Sequence, residues 1–226
     1  MYKLYEEFLN YLQTEDKESA ISYVLKKLES NEIDIVTLYT KILAPSLNTM
    51  ECKIDEKNIC IWKEHVRSSI IRTIVECCYP YIIKERHEKY NGNKGDKVVV
   101  VCPPEEYHEI GAKMAADFFT LCGYNSIFVG SNTPKDDFLD AINIVKPKYV
   151  VISVTNYYNL INAKRVISKI KEKSNYDVKI LVGGYAFKIN PESYKAIGAD
   201  MFIDTFEDIE NLAYMNMTRE SEDEKR

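Results

Sequence analysis

Three short segments hold the residue types that can do chemistry. The first is Pro103-Pro104-Glu105-Glu106-Tyr107-His108-Glu109-Ile110-Gly111, directly after the run KVVVVC at 97–102. His108 is one of only three histidines, and it lies on a strand-end loop, not on an apolar helix face. An imidazole there can ligate a metal through one ring nitrogen. Glu106, two residues earlier, can accept the N–H of the other nitrogen and so fix tautomer and basicity. The second segment is Ser153-Val154-Thr155-Asn156, whose hydroxyls can bind a ligand or satisfy loop backbone groups. The third is Gly183-Gly184-Tyr185-Ala186-Phe187. Two glycines after a buried run either make a simple turn or let a bulky ligand approach the backbone. On these residues alone, each segment keeps both its structural and its functional reading.

The elements that must position them differ between the two halves of the chain. From residue 97, apolar β-branched runs fall at 97–102, 126–129, 149–154, 178–182 and 201–203. Helical stretches lie between them, roughly at 107–122, 135–145, 159–173 and 191–197. Strands apolar on both faces, alternating with helices, imply a parallel sheet covered on both sides. In such a sheet, ligands bind beyond the carboxyl ends of the strands, where all three segments fall. No G-x-G-x-x-G follows the first strand and no phosphate-binding G-x-x-x-x-G-K-S/T occurs, so a dinucleotide or P-loop site lacks its cradle.

Residues 1–90 read as helices. Leu4, Phe8 and Leu12 mark a first; Ala20, Ile21, Val24, Leu25 and Leu28 a second; Ile35, Leu38, Tyr39, Ile42 and Leu43 a third, which Pro45 bends or stops. Val66, Ile70, Ile71, Ile74, Val75 and Cys78 stripe a fourth. The expected architecture is α/β: an N-terminal four-helix bundle, a linker at 91–96, then a Rossmann-like doubly wound five-stranded parallel sheet at 97–214. The charged tail 215–226 is expected to be disordered.

Composition narrows the classes. The chain has 226 residues, 46% apolar, with a formal net charge of −5. An acidic chain is a poor autonomous nucleic-acid binder, which needs a basic surface. No apolar run reaches a membrane span and the start is not a signal peptide, so a cytoplasmic protein is expected. Its six cysteines form no C-x-x-C pair and read as buried thiols.

A helical bundle, a linker and a sheet domain carrying Glu106-Tyr107-His108-Glu109-Ile110-Gly111, Ser153-Val154-Thr155 and Gly183-Gly184 resemble the cobalamin-binding module, from about residue 3 to 213. The resemblance implies that His108 displaces the dimethylbenzimidazole base and ligates cobalt from below. It implies a slot for the displaced nucleotide tail lined by the Ser/Thr and Gly-Gly segments. Most of that family has Asp where Glu106 stands. The Glu, together with Pro103-Pro104-Glu105, Gly130-Ser131-Asn132-Thr133-Pro134, Gly183-Gly184-Tyr185-Ala186-Phe187 and Gly198-Ala199-Asp200, is similar to the light-sensing regulators of the CarH type. That branch caps the upper face of the cofactor with W-x9-E-H. Here Glu64-His65 is present, but Ile54 stands at the tryptophan position, and Trp62 lies within the motif instead. Asp55 stands where the light-sensing prototype has a second cobalt ligand, which leaves His65 as the upper ligand candidate.

These resemblances imply a cobalamin-binding sensor that acts through a protein partner, with the corrinoid between bundle and sheet domain. The alternative is a corrinoid methyl carrier of a methyltransferase system; a storage role is the third. The site residues are Trp62, Glu64, His65, Glu106, Tyr107, His108, Ile110, Gly111, Ser153, Thr155, Gly183, Gly184 and Tyr185. The adenosyl, methyl or hydroxo form is left open, as is a homo-oligomer. No direct nucleic-acid or membrane partner is expected.

Overall fold

The computed structural model describes residues 2–48, 57–90 and 95–223. By internal contact the chain divides into two units, residues 1–84 and 85–226. Cys52, Ile54 and Asp55, which entered the expectations above, lie outside the described residues, as do residues 91–94 of the expected linker.

The first unit is helical. Helices α1 (Tyr2–Gln13) and α2 (Lys17–Glu29) are separated by a turn that Asp16 closes, its carboxylate accepting the Ser19 N–H at 3.0 Å. Asp34 caps the next segment the same way, accepting from the Thr37 N–H at 2.7 Å. That segment is not one uniform helix. It runs as α3 (Ile35–Thr37), a π-helical stretch Leu38–Leu43, and α4 (Ala44–Asn48). Pro45 neither stops nor ends it. The wider winding just upstream, with the Ala44 N–H reaching Tyr39 O, lets the chain continue through the proline. The long α5 (Lys57–Cys77) follows, then α6 (Tyr79–Tyr90). Pro80 explains the break between them, since its ring cannot extend α5. The expected stripes are the core. Phe8, Leu12, Ala20, Val24, Leu28, Leu38, Tyr39, Ile42, Leu43, Ile70, Ile71, Ile74 and Val75 are all buried.

The second unit alternates strand and helix: β1 (Lys97–Val101), α7 (Ile110–Leu121), β2 (Asn125–Gly130), α8 (Lys135–Val145), β3 (Tyr149–Ser153), α9 (Leu160–Lys173), β4 (Lys179–Gly183), α10 (Ser193–Ala196), β5 (Met201–Phe202) and α11 (Phe206–Asp223). Single 3-10 turns at Tyr157–Asn159 and Tyr185–Phe187 follow β3 and β4. All neighbouring strands are parallel, in the order β2-β1-β3-β4-β5. The order reverses at β1 and β3, so the loops after these two strands flank the point where an open sheet leaves a crevice. Strands β3 and β4 are buried almost throughout. Val99, Val101, Val150, Ile152, Ile180 and Val182 pack under α8 and α9.

Two expectations change. Helix α7 starts at Ile110, not near 107, so Tyr107 and His108 stay on the loop. The segment from 215 is not a disordered tail; α11 runs to Asp223. Asn216 is buried and is the reason: it hydrogen-bonds the Tyr149 and Tyr124 hydroxyls at 3.0 and 2.9 Å. The cysteines also divide. Cys77, Cys78, Cys102 and Cys122 form no disulfide, but Cys60 is disulfide-bonded. Among the described residues no helix is long and apolar enough to cross a membrane.

Candidate functional site

The loop after β1 opens with a tight turn. The Glu106 N–H donates to Pro103 O at 3.1 Å, with Pro104 and Glu105 in the corners. Pro104 presets the first corner, while Glu105 takes φ +67° at the second. This is the pattern of a type II turn, which favours glycine there. Three asparagines, two from the segments after β2 and β3 and one from the first turn of α9, hold it. Asn132 Oδ1 accepts the Glu105 N–H at 3.0 Å, and the Asn132 N–H returns to Glu106 O at 3.1 Å. Asn159 Nδ2 donates to Glu105 O, and Asn162 Nδ2 to Pro104 O, both at 3.2 Å.

This turn delivers Glu106 into the interior, where it is 0% exposed. A buried carboxylate must be neutralised by donors, and this one has five. Oε1 accepts from His108 Nδ1 at 2.6 Å and from the His108 N–H at 3.1 Å. Oε2 accepts the N–H groups of Thr155 and Asn156 at 3.0 and 2.9 Å, and Asn159 Nδ2 at 3.2 Å. Burial pushes the Glu106 carboxyl up. The Asn156 N–H, the His108 ring and the Asn159 amide more than offset it, leaving the group below its ordinary value. Glu106 is therefore an anion that orients His108 and ties the loop after β1 to the loop after β3.

The His108 side chain is 64% exposed. With Nδ1 bonded to a carboxylate acceptor, the proton resides on Nδ1 and the Nε2 lone pair is left for a ligand. Nearby, Cys102 is no rival donor. Burial, with Glu106 and Glu109 adding negative charge, raises its thiol to about 12.

The other expected residues fall into two groups. On the second unit, Tyr107 and Tyr185 are exposed on the loops after β1 and β4, and Tyr157 and Tyr158 on the loop after β3. Ile110 and Gly111 begin α7. A Cβ on Gly111 would meet nothing within 4 Å. Gly183 and Gly184 differ: a Cβ would fall 2.7 Å from Ile203 O and 2.4 Å from Val154 O. Their missing side chains make room for the chain's own backbone in this turn. Ser153 is buried beside Gly183 in the sheet, and Thr155 contributes its N–H to Glu106.

On the first unit, His65 Nδ1 lies 2.6 Å from Glu64 Oε2, and Ser68 Oγ donates to Glu64 Oε1 at 3.1 Å. Trp62 is 65% exposed, which removes ordinary core packing as its role. Sequence reasoning missed the asparagines at 132, 159 and 162. Their signal was present: amide residues clustered at loop and helix-start positions, where they favour left-handed φ and donate to carbonyls.

Among the described residues no three His, Cys, Asp or Glu gather as a metal-holding group. A corrinoid would need none, because its ring supplies cobalt with nitrogens of its own and one histidine, His108, would hold the metal from the protein. The open space over Gly111 and the exposed Tyr107 adjoining His108 in the chain leave room for a large flat ligand.

Known proteins agree. The family model described as "B12 binding domain" matches residues 96–213. A corrinoid protein of Desulfitobacterium hafniense (strain Y51) is 29% identical over 126 residues, 54% of this chain and 56% of that protein. The trimethylamine corrinoid protein of Methanosarcina barkeri is 26% identical over 98 residues, 43% and 44% of the two lengths. The chain thus spans about half the length of the curated relatives it matches. The Methanosarcina barkeri monomethylamine corrinoid protein shares the fold, with a TM-score of 0.77 at 14% identity over 94% of this chain and 97% of that one. With more than half of its length matched, and an oriented histidine at the carboxyl edge of the sheet, the chain belongs to the B12 binding domain family, and its cofactor is cobalamin.

Proposed function

We propose that this chain is a corrinoid carrier in a methyl-transfer system, in which His108 would hold the cobalt of cobalamin and a methyltransferase partner would exchange the methyl group. The observation that carries the ligand assignment is the His108 Nδ1–Glu106 contact at 2.6 Å, which leaves Nε2 as the donor. The relatives favour the carrier over the light sensor, since they include the trimethylamine corrinoid protein. When bound, cobalamin supplies the cobalt–carbon bond on which methyl transfer depends. The protein's own residues do the rest. Glu106 keeps the imidazole in the Nδ1–H tautomer, so electron donation from Nε2 is strengthened without a full positive charge on the ring. The tyrosines at 107, 157, 158 and 185 give an amphipathic rim that excludes water while offering hydroxyls. The slot for the nucleotide tail falls to Ser153, Thr155 and the Gly183-Gly184 turn, with Tyr185 beside it. Trp62, Glu64 and His65, on the first unit, are proposed as further cofactor contacts.

Electron paramagnetic resonance of the Co(II) form tests the ligand. Protein labelled with ¹⁵N-histidine should show the superhyperfine splitting of one imidazole nitrogen, and His108→Ala should lose it. Retention of the dimethylbenzimidazole pattern in the wild type overturns the assignment. For the role, methylcobalamin-loaded protein kept in the dark should exchange methyl groups with a corrinoid methyltransferase. A light-driven change of oligomeric state with no such exchange would restore the sensor.

A further inference from the structure

We propose that Glu105 is a cofactor-specificity residue, its carboxylate accepting an N–H from one of the primary carboxamides on the rim of the corrin ring. This rests on the cobalamin reading of the sheet edge. Glu105 occupies a left-handed conformation, φ +67°, at a turn corner where glycine is free of strain. The fold gains little from the side chain in return. Asn162 Nδ2 donates to Glu105 Oε2 at 3.1 Å, but this contact is exposed, and the same amide also secures Pro104 O. The asparagine bonds that hold the turn use the Glu105 backbone, which glycine would supply equally. Oε1 takes no hydrogen bond, and the carboxylate makes no ion pair, among the described residues. A strained, exposed and half-committed carboxylate three residues from the ligand histidine is a cost to the isolated fold that a ligand can offset.

The chemistry of the occupant follows from the acceptor. A carboxylate only accepts hydrogen bonds. The rim of a corrin carries primary amides, whose N–H groups donate. Hydrolysis of one such amide to an acid replaces the donor with a like charge, which Glu105 would repel. The residue therefore selects the fully amidated ring.

The test compares hydroxocobalamin with its separated propionamide-derived monocarboxylic acids, binding each to wild type, Glu105→Gly and Glu105→Gln. Wild type should prefer hydroxocobalamin over at least one monoacid by about 10-fold or more, the scale of one charge-assisted hydrogen bond. Glu105→Gly should melt no lower than wild type, bind hydroxocobalamin more weakly and lose that preference. Glu105→Gln keeps the backbone demand and removes only the charge, so it should lose the preference while retaining the fold. Unchanged discrimination in both variants overturns the proposal. So does loss of affinity for every corrinoid in proportion, which marks Glu105 as merely structural. If wild type retains no corrinoid, the cobalamin reading falls and this inference falls with it; retention with normal His108 ligation but no discrimination overturns the inference alone.

Discussion

Glu106 carries more of the site than its one-residue signature suggests. Its carboxylate closes five hydrogen bonds from two loops, all from N–H donors. Glu106→Ala would strand several of these buried donors. We expect it to destabilise the protein by about 3–5 kcal/mol in denaturant titration, the usual cost of removing one partner of a buried charged network. The pH dependence has a definite sign. The folded-state value lies below the ordinary 4.5, so the folded form binds fewer protons than the unfolded one there. The stabilisation is complete above the unfolded value and disappears as the pH falls through the folded one. Melting temperatures measured downward from neutral pH should therefore fall below about pH 4.5 in wild type, and Glu106→Gln should flatten that fall. The Glu106–His108 pairing was legible from spacing alone. The reach of Glu106 into the Thr155–Asn156 backbone was not, since a contact across about 50 residues leaves no local pattern.

At the level of elements, the glycines divide by what surrounds them. Gly184 combines φ +104° with a Cβ position 2.4 Å from Val154 O. Gly184→Ala should cost about 3 kcal/mol or more, read as a lowered denaturation midpoint. Gly111 has open space above it and lies in the first turn of α7. There Gly111→Ala should stabilise the cofactor-free protein by up to about 1 kcal/mol through helix propensity, yet weaken cobalamin retention on desalting. The five strands were readable to within a residue or two because buried parallel strands are continuous apolar runs. Helix α11 was overlooked although its signals were there. Phe206, Ile209, Leu212, Ala213 and Asn216 keep helical spacing, and Thr205 with Asp208 forms a reciprocal cap. Charge at the end of the segment hid the pattern at its start.

Across the whole molecule, the sheet unit is closed by that last helix. Phe206 packs edge-on against Phe118 of α7 at 5.0 Å, and Asn216 joins α11 to the tyrosines of two strand starts. Asn216→Ala should lower stability by about 1–3 kcal/mol, with hydrogen exchange in α11 accelerating first. The π-helical stretch in the first unit could not be read from the sequence, since the apolar pattern that buries Leu38, Tyr39, Ile42 and Leu43 suits an ordinary helix equally well.

The bridge from Glu106 to residues 155 and 156 also imposes an order of events during synthesis. β1 and its histidine leave the ribosome well before β3. Until β3 pairs with β1, the two backbone donors that help seat the carboxylate are missing. The buried carboxylate that orients His108 thus gains its full set of donors only when the central pair of the sheet has formed.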